Sequence, residues 1–175
     1  INNLLVRYPT HVAPNLFNII DSHDTMRILN RCGKNKDLVK LALLFLFSFT
    51  GSPSLYYGTE IAMEGDHDPD NRRCMIWDEH MQDSEMMNFI KQLISFRKNN
   101  PDFKQVDLNW LMAKDNILIY EKGKTIFMIN RNPNQINITL PISLKNKTFY
   151  SLFDNSIISF HTTLTLKPFQ YLVLN

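Results

Sequence analysis

Twice in the first seventy-three residues of the 175-residue chain, an apolar segment runs straight into a dense cluster of polar side chains. Phe17-Asn18-Ile19-Ile20 leads into Asp21-Ser22-His23-Asp24-Thr25-Met26-Arg27, and Ser54 to Ile61 leads into Glu64-Gly65-Asp66-His67-Asp68-Pro69-Asp70-Asn71-Arg72-Arg73. Leu16 to Ile20 is continuously apolar apart from Asn18, the pattern of a parallel strand buried on both faces. Ser54 to Ile61, with aromatic and β-branched residues around a glycine that permits close backbone approach, reads as a second strand. Between them, Leu38 to Phe47 is apolar around most of a helical circumference, with Asp37 as a candidate cap and Thr50-Gly51-Ser52-Pro53 as the stop. Strand, helix, strand in this order implies a right-handed crossover and a parallel sheet. In such a sheet both polar clusters emerge at the carboxyl ends of strands, where α/β barrels carry their chemistry.

The flanking segments complete the outline. Leu4, Leu5 and Tyr8 have partial helical spacing, and Pro9 and Pro14 predict that this helix ends near Arg7. Asp83-Ser84 supplies caps for a helix with Met86, Met87, Phe89, Ile90, Leu93, Ile94 and Phe96 on its apolar side, stopped by Asn99-Asn100-Pro101. After Pro101 the character changes to short β-rich segments, at Trp110 to Ala113, Ile117 to Tyr120, Thr125 to Asn130, Ile136 to Leu140, Thr148 to Leu152, Thr162 to Leu166 and Tyr171 to Leu174. Turn signals such as Lys122-Gly123-Lys124 and Asn132-Pro133-Asn134 separate them, at spacings suited to an antiparallel sandwich. The expected fold class is therefore α/β plus all-β, with an α/β part at 1–100 and an antiparallel β-sandwich at 101–175.

Composition narrows the function classes. A hydrophobic fraction of 44% is enough for a sizeable core, and nineteen basic against seventeen acidic residues give a net charge of only +2 with no long run of either sign. Nothing here calls for a nucleic-acid or membrane-surface partner. The longest apolar run, Leu41 to Phe49, is shorter than the ~20 residues of a membrane helix. Cys32 and Cys74 form no C-x-x-C unit and read as free thiols. The first residues carry no secretion signal, which gives a cytoplasmic expectation, and a chain opening on Ile1 is expected to be a piece of something longer.

Each candidate group has a bland counterpart. His23 beside Asp24, with Asp21 nearby, suits a catalytic or binding cluster at a strand end, or else a capped loop. Asp66, Asp68 and Asp70 have the spacing that opens an EF-hand, but the turn glycine falls on Asn71 and the bidentate glutamate on Trp77, so no metal is expected. Arg72, four residues after Asp68, permits a bonded pair that displays a rigid guanidinium fork to sugar hydroxyls; two adjacent arginines are also a common surface patch. Tyr56, Tyr57 and Trp77 could be sugar platforms or packing residues, and packing is the expectation for Trp77. A dinucleotide- or phosphate-binding protein would need a Gly-rich strand-to-helix turn that the chain lacks.

Phe17 to Arg27 closely resembles the fourth signature region of the α-amylase family of glycoside hydrolases. Tyr56-Tyr57-Gly58-Thr59-Glu60-Ile61-Ala62-Met63-Glu64-Gly65, followed by His67 to Arg73 and Trp77-Asp78, resembles the neopullulanase and cyclomaltodextrinase branch. The resemblance covers the first hundred residues closely and the remainder in pattern. It implies the C-terminal part of a (β/α)₈ TIM barrel, strands seven and eight with their helices, followed by a small antiparallel β-sandwich. The implied chemistry is retaining hydrolysis or transfer of α-glucans by an aspartate nucleophile and a glutamate acid/base, both on earlier strands that this chain lacks.

Asp24 falls on the family's third essential carboxylate, a transition-state stabiliser, and His23 on the histidine that bonds the same sugar. Asp68 and Arg72 match a pair that binds the neighbouring glucose. No cofactor is implied; the expected partners are α-glucan oligosaccharides or cyclodextrins. Unpaired strand edges add an expectation of homo-oligomers. The alternative from another class is a non-catalytic carbohydrate-binding or structural module in which the sandwich is the functional part.

Overall fold

The computed structural model describes residues 11–175, so the helix expected before Arg7 lies outside the described residues. The chain divides into two compact units, Ile1–Val106 and Asp107–Asn175.

In the first unit, strand β1 (Phe17–Asn18) pairs in parallel with β2 (Ser52–Pro53), Phe17 opposite Ser52 and Asn18 opposite Pro53. The parallel pairing expected from the strand, helix, strand order is present, but the ladder is short. Backbone bonds from Ser52 N to the Leu16 carbonyl (2.8 Å) and from Ser54 N to the Asn18 carbonyl (2.9 Å) complete it. Helices α1 (Ile28–Arg31) and α2 (Lys36–Ser48) connect the two strands.

Helix α2 is buried at Val39, Leu41, Leu43, Leu44, Leu46 and Phe47, as its nearly all-round apolar pattern requires. Asn35, not Asp37, is its cap: the Asn35 side chain accepts from the backbone N–H groups of Asp37 and Leu38. Asp37 sits in the first turn, where its charge still suits the helix dipole. Helix α3 (Ser84–Asn99) is capped by Asp83 and buries Met86, Phe89, Ile90 and Leu93, the i, i+3, i+4, i+7 stripe that packs against α2.

Two strand expectations are corrected. Ser54 to Ile61 is not a strand beyond its first hydrogen bond. Gly58 turns left-handed at φ 84°, the Tyr56 carbonyl accepts from Thr59 N, and Thr59–Ile61 forms a 3₁₀ turn; turn chemistry here overrides β propensity. Leu16 to Ile20 is not buried on both faces either: Phe17 is 81% and Ile19 58% exposed, while Leu16, Asn18 and Ile20 are half-buried. Within this unit β1 has β2 as its one described strand neighbour, so its outward side chains meet no second sheet layer.

Arg97 closes the unit. Its Nη1 donates to the carbonyls of Phe47 (2.6 Å), Phe49 (3.3 Å) and Phe103 (3.0 Å), and Nη2 donates to that of Gly51. One guanidinium thus gathers carbonyls from the end of α2, the approach to β2 and the 3₁₀ turn Pro101–Lys104, satisfying groups a helix terminus leaves orphaned. Burial pushes its pKa below the usual arginine value.

The second unit is built on an antiparallel four-stranded sheet in the order β10-β5-β4-β3, with β3 Asn109–Lys114, β4 Ile117–Lys122, β5 Thr125–Asn130 and β10 Tyr171–Leu174. Two ribbons accompany it: β6 (Ile136–Thr139) with β9 (Thr163–Leu166), and β7 (Thr148–Tyr150) with β8 (Ile157–Ser159). Strand β8 was not anticipated; Asp154-Asn155-Ser156 is the turn that delivers it. Alternation divides the sheet's side chains. Ile117, Ile119, Ile126, Met128, Leu172 and Leu174 join Ile138 and Leu166 of the β6–β9 ribbon, with Leu140, Leu144 and Phe160, in one apolar cluster. On the opposite face Trp110, Tyr120 and Phe127 form a row, the last two stacked with centroids 5.0 Å apart.

Among the described residues no helix is long and apolar enough to cross a membrane. Cys32 and Cys74 are not joined by a disulfide.

Candidate functional site

The two polar clusters of the first unit meet. Loop 21–27 follows β1, and loop 64–73 follows the turn after β2. Arg72 bridges them, with Nε 3.1 Å from an Asp68 carboxylate oxygen and Nη2 3.7 Å from Asp24. His23 Nε2 lies 3.2 Å from the same Asp24 oxygen. The four residues singled out from the sequence therefore form one contiguous string, His23, Asp24, Arg72, Asp68. All four are open to solvent, with side-chain exposures from 47% for Arg72 to 70% for Asp24.

Such a string displays a carboxylate, an imidazole and a planar cation along one surface. That is a set of acceptors and forked donors suited to a polyhydroxylated ligand. Among the described residues one cleft is lined by Leu29, Lys36, Ile61 and Asp83 and another by Met63, Arg73, Cys74 and Met81, and neither includes any of the four.

What holds the loops is buried beneath them. Asp21, 3% exposed, accepts from the backbone N–H of Ile28 (3.0 Å) and from the Thr59 hydroxyl (3.1 Å), tying the first loop to the turn after β2. Asn71, fully buried, donates to the carbonyls of His23 (2.8 Å) and Thr25 (2.9 Å), on either side of Asp24. Arg27, 1% exposed, lies against both tyrosine rings, 4.6 Å from the centroid of Tyr56 and 4.7 Å from that of Tyr57. Burial raises the Tyr56 pKa above its ordinary value, and its hydrogen bond with Tyr57 adds to the rise.

The acids of the second loop are engaged locally. Asp70 accepts from the Asp66 backbone N–H (2.7 Å) and from Arg73 (2.7 Å), which hold its carboxyl below the usual range. Asp68 faces Arg72, across a cis peptide to Pro69. Among the described residues no three His, Cys, Asp or Glu side chains gather as metal ligands would.

Two readings change. Trp77 is 81% exposed and not a packing residue; it follows the 3₁₀ turn Asp70–Arg72 on a stretch without regular structure. Tyr56 and Tyr57 pack against a buried cation, and Tyr57 keeps 39% of its surface exposed. The roles of Arg27 and Asn71 were missed. The available signals were an arginine closing the first polar cluster, and an asparagine where a metal loop would carry glycine.

Comparison with known proteins gives these loops a context. The alpha-amylase family model, described as the alpha amylase catalytic domain, matches residues 1–157. A cyclomaltodextrinase of Geobacillus thermopakistaniensis (strain MAS1) is 40% identical over 156 residues, 86% of this chain and 26% of that protein. An intracellular maltogenic amylase of Bacillus subtilis is 32% identical over 91% of this chain and 29% of its own length. The chain thus spans between about a quarter and a third of these relatives. Among solved structures, a cyclomaltodextrinase superposes with a TM-score of 0.87 at 27% identity, over 99% of this chain and 32% of that one. A maltogenic amylase from S. marinus gives 0.82 at 30% identity, over 99% and 24%. With that model matching residues 1–157, most of its length, the chain belongs to the alpha-amylase family.

Proposed function

We propose that this chain is the C-terminal portion of a retaining α-glucan hydrolase of the neopullulanase, cyclomaltodextrinase or maltogenic amylase kind, and that it contributes one wall of a glucan cleft. On this reading the first unit carries the seventh and eighth strands of a (β/α)₈ barrel, ending near residue 100, and the second is the antiparallel sandwich that follows. The observation that carries the proposal is the Asp24–Arg72–Asp68 string joining two strand-end loops. The solvent-open position of that string suits a wall whose facing half is supplied by other strands.

In this reading Asp24 accepts hydrogen bonds from hydroxyls of the reacting sugar. Those bonds strengthen as the ring acquires positive charge, so the carboxylate favours the oxocarbenium-like transition state over the ground state. His23 orients the same sugar, while Arg72, steadied by Asp68, grips its neighbour. The nucleophile and the acid/base lie on earlier strands, and the chain alone is inactive. Sequence likeness to an intracellular maltogenic amylase favours the cytoplasm, and the exposed Phe17 and Ile19 favour self-association.

Titration calorimetry with maltooligosaccharides tests the binding role. Asp68→Ala or Arg72→Ala is expected to weaken binding at least tenfold. Loss only on substitutions in the second unit would support a sandwich-borne binding module instead. Assays on cyclodextrin and pullulan are expected to give no turnover, and turnover abolished by Asp24→Asn would overturn the inactive reading.

A further inference from the structure

Four exposed side chains in a row do not hold themselves in place. Exposed ion pairs, screened by water, contribute too little to fix two loops against chain entropy. We infer that Arg27 is the positioning residue of this site: its buried guanidinium and stem fix loop 64–73 against loop 21–27, and so set where Arg72 stands relative to Asp24. The inference rests on the glucan-cleft reading for its purpose, although not for its geometry.

Arg27 reaches both sides of the site. It lies three residues after Asp24 on the same loop, and its backbone N–H donates to the Gly65 carbonyl at 3.0 Å. Its Nη1 donates to the Tyr57 carbonyl at 2.6 Å, and the Tyr57 hydroxyl donates onward to the carbonyl of Arg73, next to Arg72, at 2.7 Å. The second loop is moulded on the arginine stem. A Cβ added to Gly65 would stand 3.0 Å from Arg27 Cδ and 2.8 Å from Asn71 Cα, so only glycine allows this approach. Asn71, held there, reaches back to the carbonyls flanking Asp24. The site string is thus the exposed edge of a buried frame of Arg27, Tyr57, Gly65 and Asn71.

The chemistry of the position argues for placement over simple stability. Arg27 Nε and Nη2 have no hydrogen-bond partner among the described residues, and a buried cation with unsatisfied donors costs free energy that an apolar side chain of similar length would not. What an apolar side chain cannot supply is the bond to the Tyr57 carbonyl together with a charged plane facing two aromatic rings.

The test uses Arg27→Met and Arg27→Lys in the full chain, with Tyr57→Phe, which removes one hydroxyl, as the mild variant. Hydrogen exchange followed by mass spectrometry reads the frame without any glucan. Arg27→Met is expected to speed exchange at least tenfold across 64–73, with peptides of α2 and α3 exchanging as in the parent chain. Tyr57→Phe should do so by roughly threefold, and it carries the test should Arg27→Met fail to fold. Calorimetry with maltooligosaccharides should then show affinity falling at least tenfold in Arg27→Met with an unchanged thermal midpoint for α2 and α3. Arg27→Lys should not restore it, because a compact ammonium presents no planar face.

Unchanged exchange in 64–73, or parental affinity in Arg27→Met, overturns the inference. A parent chain that binds no maltooligosaccharide removes the glucan reading instead, and the exchange arm still decides whether Arg27 holds the loops.

Discussion

The two units solve the same problem with different materials. The second satisfies its backbone in ladders and buries alternate side chains of β4, β5 and β10 in one apolar cluster. The first has a parallel ladder of two residue pairs and a long irregular stretch from Ser54 to Asp83, where buried Asp21, Arg27, Thr59 and Asn71 do for the backbone what Asn130 does only at the end of a ladder in the second. Irregular backbone exposes donors and acceptors that no ladder collects, and a buried side chain with several polar atoms can collect them. The part carrying the candidate site is the part built this way, in line with binding groups sitting on loops over a rigid scaffold.

If that contrast is right, the second unit should respond mainly to lost volume and the first mainly to lost polar bonds. The largest effect is expected from Met128→Ala in the second unit. Met128 is fully buried in the apolar cluster, and truncation should cost about 2–5 kcal/mol, read from chemical denaturation with exchange peptides of that unit as the local probe.

Arg97→Met comes next. It keeps most of the volume but strips the carbonyls of Phe47, Phe49, Gly51 and Phe103 of their donor, at about 2–3 kcal/mol in the first unit. A smaller loss from Arg97→Met than from trimming an exposed side chain would break the comparison.

The smallest effect sharpens it through pH. Asp83 caps α3 and meets Lys36 at 2.6 Å. Burial alone would raise its pKa, but the Lys36 hydrogen bond and the Met86 N–H outweigh it, leaving Asp83 below its ordinary value of 3.8. Asp83 lies below its unfolded value, so its stabilisation is present above pH 3.8 and lost as pH falls through the folded value. Lys36 is raised above 10.5 by the same partner, so its share is complete below 10.5 and lost as pH climbs through the folded value. Asp83→Asn, which keeps an acceptor for the cap, should flatten the acid limb of a stability–pH curve. Asp83→Ala should cost about 1 kcal/mol more through the lost cap.

What the sequence disclosed follows the same division. The β-rich runs at Ile117 to Tyr120 and Thr125 to Asn130 were legible from composition bounded by turn signals, and the apolar stripe of α3 from its helical period. Strand β8 was hidden, since Ile157-Ile158-Ser159 is too short to show a period. Ser54 to Ile61 misled because Tyr56 and Tyr57 have strand propensity but fold around Arg27, a partner thirty residues away that no local pattern announces. The site string was visible through its motif spacing and the frame beneath it was not, because Arg27 and Asn71 are polar residues whose burial depends on tertiary contact.

Trp77 has a practical consequence. The chain holds two tryptophans; Trp110 packs edge-on to Tyr120, whereas Trp77 stands in solvent five residues beyond Arg72. Its indole is therefore an exposed native fluorophore, red-shifted and open to a collisional quencher. Whatever comes to cover this surface should announce itself as a blue shift in emission without any label being attached.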